Sequence, residues 1–184
     1  MRGLRRKHPT KTVEVWTEDE TRLGLKPITR RVWAPKGQRP VSNGQARYRW
    51  LYVYGFVRPK TGQLFRVFLP RVKTELMSQA LLEFAANADP YRKKLLVLVV
   101  DNAGWHVSRT LDVPNNVVLY RLPPCTPELQ PIEPLWPLLR EAVANRRFHN
   151  LGHLKNVLRR RCDYLAHHPA IVRGRTGFRW VLNI

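Results

Sequence analysis

The sequence predicts an α/β layer protein built on one central sheet. Three observations predict it: five β-rich runs, three runs with helical spacing among and after them, and one continuous apolar run, KLLVLVV at 94–100, typical of a strand buried on both faces. The 184 residues, 43% of them hydrophobic, suffice for one core and are short for two, so a single domain is expected.

Residues 1–11, MRGLRRKHPTK, read as a basic arm; no apolar stretch follows, which excludes a signal peptide. Residues 12–17, TVEVWT, alternate as a strand that stops at the acidic cluster Glu18, Asp19 and Glu20. Residues 24–40 form a basic flap around a short RVW piece, carrying Arg30, Arg31, Lys36 and Arg39. Residues 49–57 and 64–69 are two strands of a hairpin, turned by RPKTGQ. From 74 to about 88, Leu76, Ala80, Leu81 and Phe84 recur at helical steps behind Thr74 as cap. The strand 94–100 ends at Asp101, a further strand covers 116–122, and Pro123 and Pro124 break it. Residues 128–145 and 151–167 read as two closing helices.

Lys and Arg number 33 against 13 Asp and Glu, a formal net charge of +20, so a polyanion is the natural partner and its binding should weaken with salt. Cys125 and Cys162 alone make neither a disulfide framework nor a zinc site, which fits a reducing cytoplasm. The longest apolar run, 95–100, is too short to cross a bilayer, so no membrane partner is expected.

Asp19 and Asp101 both stand where strands are expected to end, and in open α/β sheets functional side chains gather at the carboxyl ends of strands. Two carboxylates there repel unless protonated or bridged by cations, and a divalent metal is the common solution. Phosphodiester cleavage needs an activated hydroxyl, charge neutralisation and in-line geometry, which two hard cations about 3.5 to 4 Å apart supply. A third acid comes from PELQPIEPLW, where Glu133 shares a helix with the anchoring side chains Leu129, Ile132 and Trp136. Pro131, Pro134 and Pro137 crowd this stretch, so the helix either starts near Pro134, with Glu133 at its entrance, or is bent.

These residues resemble the mariner-like insertion-sequence transposases of the DDE superfamily. The likeness runs through TEDETRLGLKPITRRVWAPKGQRP at 17–40, RYRWLYVYGFV at 47–57, VVDNAGWH at 99–106, LPPCTPELQPIEPLWPLLREAVANRRF at 122–148 and TGFRW at 176–180. It implies a ribonuclease-H-like fold over 12–184, a central mixed five-stranded sheet flanked by helices, with Asp19, Asp101 and Glu133 as the catalytic, metal-holding acids. It also implies two Mg²⁺ or Mn²⁺ ions, nicking at transposon ends, attack of the freed 3′-hydroxyl on target DNA, and a homodimer in the synaptic complex. The 31 residues between Asp101 and Glu133 are slightly fewer than is commonest there, and CTPEL stands where YSPEL is usual. No helix-turn-helix modules precede Asp19, so the reading expects a catalytic half that acts with an upstream-frame partner segment, or a truncated copy, in the nucleoid-associated cytoplasm.

Around the trio, Glu20 is expected opposite Asp19 by strand alternation, as a partner for nearby arginines. His106 either orients a phosphate or water or is a hydrogen-bonded structural histidine, and Trp105 is expected to pack rather than stack on a base. Arg30, Arg31, Lys36, Arg39 and His106 are the candidate DNA contacts, a solvated basic loop being the alternative for the first four. Two other readings compete: a ribonuclease-H-type or resolvase nuclease, and a non-catalytic DNA-binding remnant.

Overall fold

Strand β1, Thr12–Gly24, is the spine of a five-stranded sheet, and it changes partners half-way along. Its first half pairs in parallel with β4, Lys94–Val100, from Thr12↔Lys94 to Thr17↔Val99. Its second half pairs antiparallel with β2, Trp50–Arg58, from Thr17↔Val57 to Gly24↔Trp50. With β3, Gln63–Leu69, and β5, Val117–Arg121, the order is β3-β2-β1-β4-β5, antiparallel on the hairpin side and parallel on the other. This is the mixed sheet of the expected ribonuclease-H-like fold. The computed structural model from which these relations are taken describes residues 2–41 and 47–183.

The strand expected to stop before the acids runs through them to Gly24. The antiparallel ladder to β2 satisfies the backbone beyond Thr17, and Leu23, buried to 1% exposure, rewards the continuation. Asp19 therefore sits in mid-strand. It lies two residues beyond the last parallel pair with β4, so it still opens onto the carboxyl end of that neighbour.

Period-two alternation divides the sheet between two cores. On one face Trp16, Tyr54 and Phe56 pack against α2, Thr74–Ala88, through Met77, Leu81 and Phe84; Phe56 stacks on Phe84 at 4.5 Å between ring centroids. On the other, Leu23, Val53 and Val57 pack beneath α4, Trp136–Val143, α5, Leu151–His167, and α6, Pro169–Thr176. The α2 cap differs from expectation: Lys73 precedes the helix without a side-chain cap, while the Thr74 carbonyl accepts from Ser78 Oγ at 3.0 Å.

The single helix expected over 128–145 is broken by its prolines. Two 3-10 turns, Pro127–Leu129 and Glu133–Leu135, precede α4, so the entrance geometry holds and Glu133 is the first residue of the turn that leads into the helix. Four short helices were not expected. These are α1, Arg2–Lys7, within the supposed arm; α3, Gly104–Val107; α6; and α7, Arg179–Leu182. Leu4 of α1 and Trp180 of α7 border an apolar cleft over β4 and β5.

Residues 26–41, most of the expected basic flap, carry no regular secondary structure and are mostly exposed, with Trp33 fully in solvent. The base of this segment is tied to the end of α4: Asn145, in the left-handed conformation at φ 55°, exchanges hydrogen bonds with the Arg30 backbone at 2.9 and 3.0 Å.

Candidate active site

Asp19, Asp101 and Glu133 line one open cleft of about 330 Å³, together with Asn102, Pro123, Cys125, Thr126 and Gln130. Each arrives on a different element. Asp19 comes from mid-β1, Asp101 directly follows β4, and exposed Glu133 opens the turn before α4.

Two hydrogen bonds place the Glu133 segment. Thr17 Oγ1 donates to Gln130 Oε1 at 2.5 Å, and Gln130 Nε2 donates to the Glu18 carbonyl at 2.9 Å, both buried. Buried Ile132 and Trp136 then seat the turn on the sheet. The register sets Gly55 opposite Asp19, and a Cβ at Gly55 would stand 2.7 Å from Trp136 Cη2 and 2.9 Å from Ile132 Cδ1. The missing side chain is what admits the indole. From there Trp136 Nε1 donates to Asp19 Oδ2 at 2.7 Å.

Burial raises the Asp19 carboxyl from 3.8 to about 7; the negative charges of Glu20 and Glu133 add to this, and the Trp136 bond opposes it. A carboxyl raised by burial, with two acids beside it, lacks a counter-charge, which a cation in the cleft would supply. Asp101 differs. Hydrogen bonding from His106, then from the Ala103 N–H, holds its carboxyl below the usual range against partial burial.

His106 is not a DNA contact. The ring is wholly buried, with Nδ1 2.7 Å from Asp101 Oδ1 and Nε2 3.1 Å from Glu18 Oε2 and 3.6 Å from Glu20 Oε1, so no N–H is left for a phosphate. Burial alone would lower its basicity, but the hydrogen bond to Asp101 and the close contacts with Glu18 and Glu20 more than offset this and push it upward. Glu18, buried and beside Glu20, is pushed upward too, with His106 opposing. Glu20 does stand opposite Asp19, but its partner is this histidine rather than an arginine. Ligand atoms of Glu18, Glu20 and His106 lie within 4.8 Å of one another, a spacing that could hold an ion; burial shuts that group off from any substrate phosphate.

Trp105 packs against the α2 core, as expected. Arg30, Arg31, Lys36 and Arg39 are exposed on the irregular segment, where Arg30 is also paired with Glu141 at 3.6 Å. Sequence reasoning missed Gln130 and the polar role of Trp136. The only available signal was a lone amide and an indole embedded in a proline-rich apolar stretch.

Residues 14–155 match the family described as DDE superfamily endonuclease. The chain belongs to that family. Among curated proteins this endonuclease is 40% identical over 100 residues to an uncharacterized protein, y4pE/y4sA, of Sinorhizobium fredii (strain NBRC 101917 / NGR234), covering 54% of this chain and 73% of that one. Its fold matches the Mos1 strand transfer complex with a TM-score of 0.56 at 18% identity over 96% of this chain and 58% of the Mos1 chain. The mariner Mos1 paired end complex with Mg matches at 0.58 and 15% identity over 90% and 56%. The chain thus spans less than two thirds of the Mos1 chains whose fold it shares. Among the described residues no helix is long and apolar enough to cross a membrane.

Proposed function

We propose that this endonuclease is the catalytic domain of a DNA transposase, hydrolysing phosphodiester bonds at transposon ends and transferring the freed 3′-hydroxyl into target DNA. One observation carries the reading: acids from three distant segments, Asp19, Asp101 and Glu133, line a single cleft on a strongly basic chain. The Mos1 complexes of similar fold include strand transfer and paired-end assemblies and forms with Mn and Mg, which supports the same chemistry here.

The three carboxylates would hold divalent Mg²⁺ or Mn²⁺, two ions in this reading. Bound there, the metal supplies Lewis-acid activation of the attacking oxygen and charge neutralisation at the phosphate. The chain's own part is orientation. Trp136 fixes one oxygen of Asp19, Gln130 anchors the strand-to-turn junction that carries Glu133, and the exposed Arg31, Lys36 and Arg39 offer cations to the DNA backbone. The reading extends to a homodimeric synaptic complex, to end recognition by a helix-turn-helix segment, and to action in the nucleoid-associated cytoplasm.

The test is metal-dependent nicking of duplex DNA by the full chain. Mg²⁺ or Mn²⁺ should support it, and Asp19→Ala, Asp101→Ala and Glu133→Ala should each abolish it while DNA binding persists. Full nicking in any one of these variants removes that residue from the site. Preferential hydrolysis of an RNA–DNA hybrid would replace transposition with ribonuclease-H-type activity.

A further inference from the structure

Asp101 is not held by its own strand. It follows the last residue of β4, and both hydrogen bonds found for its carboxylate fall on Oδ1: the Ala103 N–H at 2.9 Å and His106 Nδ1 at 2.7 Å. A carboxylate with one oxygen taken by two N–H groups has a fixed plane, and its other oxygen is presented to the cleft that Asp101 lines. The ring that fixes it is itself held from behind. His106 rides on α3, packs edge-on to Trp105 at 5.9 Å, and has its far nitrogen facing Glu18 and Glu20. That far contact is ionic rather than an aligned hydrogen bond, and Glu18, with no exposed surface, has no other hydrogen bond on either carboxyl oxygen. A buried acid without a hydrogen bond is costly, so the contact with the ring is what offsets the burial of Glu18, and it holds the far edge of the imidazole.

We propose that His106 is a positioning residue: clamped by Glu18 and Glu20, it aims the Asp101 carboxylate at the metal seat and links the strand of the first acid to the second. The inference rests on Asp101 being a metal ligand, as proposed above. It gives Glu18 and Glu20 a role distinct from that of Asp19 between them. Side-chain alternation sends the two glutamates to the α2 face, where the histidine lies, and Asp19 to the α4 face, where Trp136 lies.

The test separates the two ends of the ring. In His106→Asn the amide nitrogen replaces Nδ1, keeping the Asp101 donor and losing the glutamate contact; in His106→Gln it replaces Nε2, with the opposite result. Mn²⁺ affinity of the intact chain, measured by calorimetry, should fall about 10- to 100-fold in His106→Gln and by a smaller factor in His106→Asn, where the Asp101 donor remains and only the glutamate clamp is lost. Equal affinities in both variants and wild type overturn the proposal, as does an equal loss in both. Asp101→Asn is the companion: wild-type affinity there removes Asp101 as ligand, whereas loss there with His106→Gln unchanged sinks the positioning role alone. Loss of Mn²⁺ binding in Glu18→Gln with Asp101→Asn unaffected would make the buried group itself the metal seat and overturn the assignment. Should the variants not fold, ¹⁵N-labelled histidine in the wild-type protein decides. The His106 Nδ1 resonance should shift on Mg²⁺ addition, and a resonance that ignores the ion refutes the link.

Discussion

The indole N–H of Trp136 and Oδ2 of Asp19 meet at 2.7 Å, so the helix that follows the third acid holds the first. A single side chain thereby couples two members of the trio that lie far apart in the chain.

Trp136→Phe keeps most of the buried ring and deletes the donor. A hydrogen bond to a charged group is worth about 1.5–3 kcal/mol, so losing it should raise the Asp19 carboxyl further and weaken metal binding about tenfold or more. Nicking rates against Mn²⁺ concentration should show a raised half-saturation point, with the melting temperature only modestly lowered. An unchanged metal dependence would mean that the indole packs without orienting.

Gly55→Ala should injure the site from the opposite strand. Its Cβ would fall within 3 Å of both Trp136 and Ile132, and overpacking of this kind costs about 1–3 kcal/mol. The two substitutions share the indole, so they should not be additive: in the Trp136→Phe background the nearest clashing atom is gone and Gly55→Ala should cost less. Denaturant titration of the four proteins in the cycle measures the coupling.

The raised Asp19 carboxyl makes stability and metal binding depend on pH in opposite senses. Its ordinary value is 3.8 and its value here about 7, so between them the folded chain holds a proton that the unfolded chain has released. Asp19 therefore adds stability at low pH that is lost as pH rises through about 7 in the metal-free protein. A bound cation must displace that proton, so Mn²⁺ affinity should climb about tenfold per pH unit below that value and level off above it. Calorimetry in buffers of differing ionisation enthalpy would show one proton released at the acidic end, and none would be seen in Asp19→Asn.

The exposed basic segment should govern affinity for DNA rather than turnover. Each lost phosphate contact lowers the slope of log affinity against log salt by about one, so replacing Arg31, Lys36 and Arg39 together with glutamine should flatten it by about three. Arg30, already paired with Glu141, should matter less. Binding measured over a salt series to two unrelated duplexes should show the same change for both.

The strand positions, α2 and α5 were readable because their apolar spacing is local; the limits of α2, Thr74–Ala88, follow directly from it. The extension of β1 was not, because charged residues in mid-strand look like a terminus until the antiparallel partner is known. The three acids came from motif order and family resemblance, and the cleft brings them together. What holds them was hidden. His106 with Glu18, Gly55 with Trp136 and Thr17 with Gln130 are each joined only by folding, and a lone sequence records no such pairing.

The Gln130 clamp also explains why the count of residues between the second and third acids carries little weight. The side-chain amide fastens its own loop to β1 beside Asp19, so Glu133 is placed from the strand rather than by the length of chain between the acids. A change of length upstream of Gln130 should therefore leave Glu133 seated, a freedom open to an engineer grafting a new substrate loop.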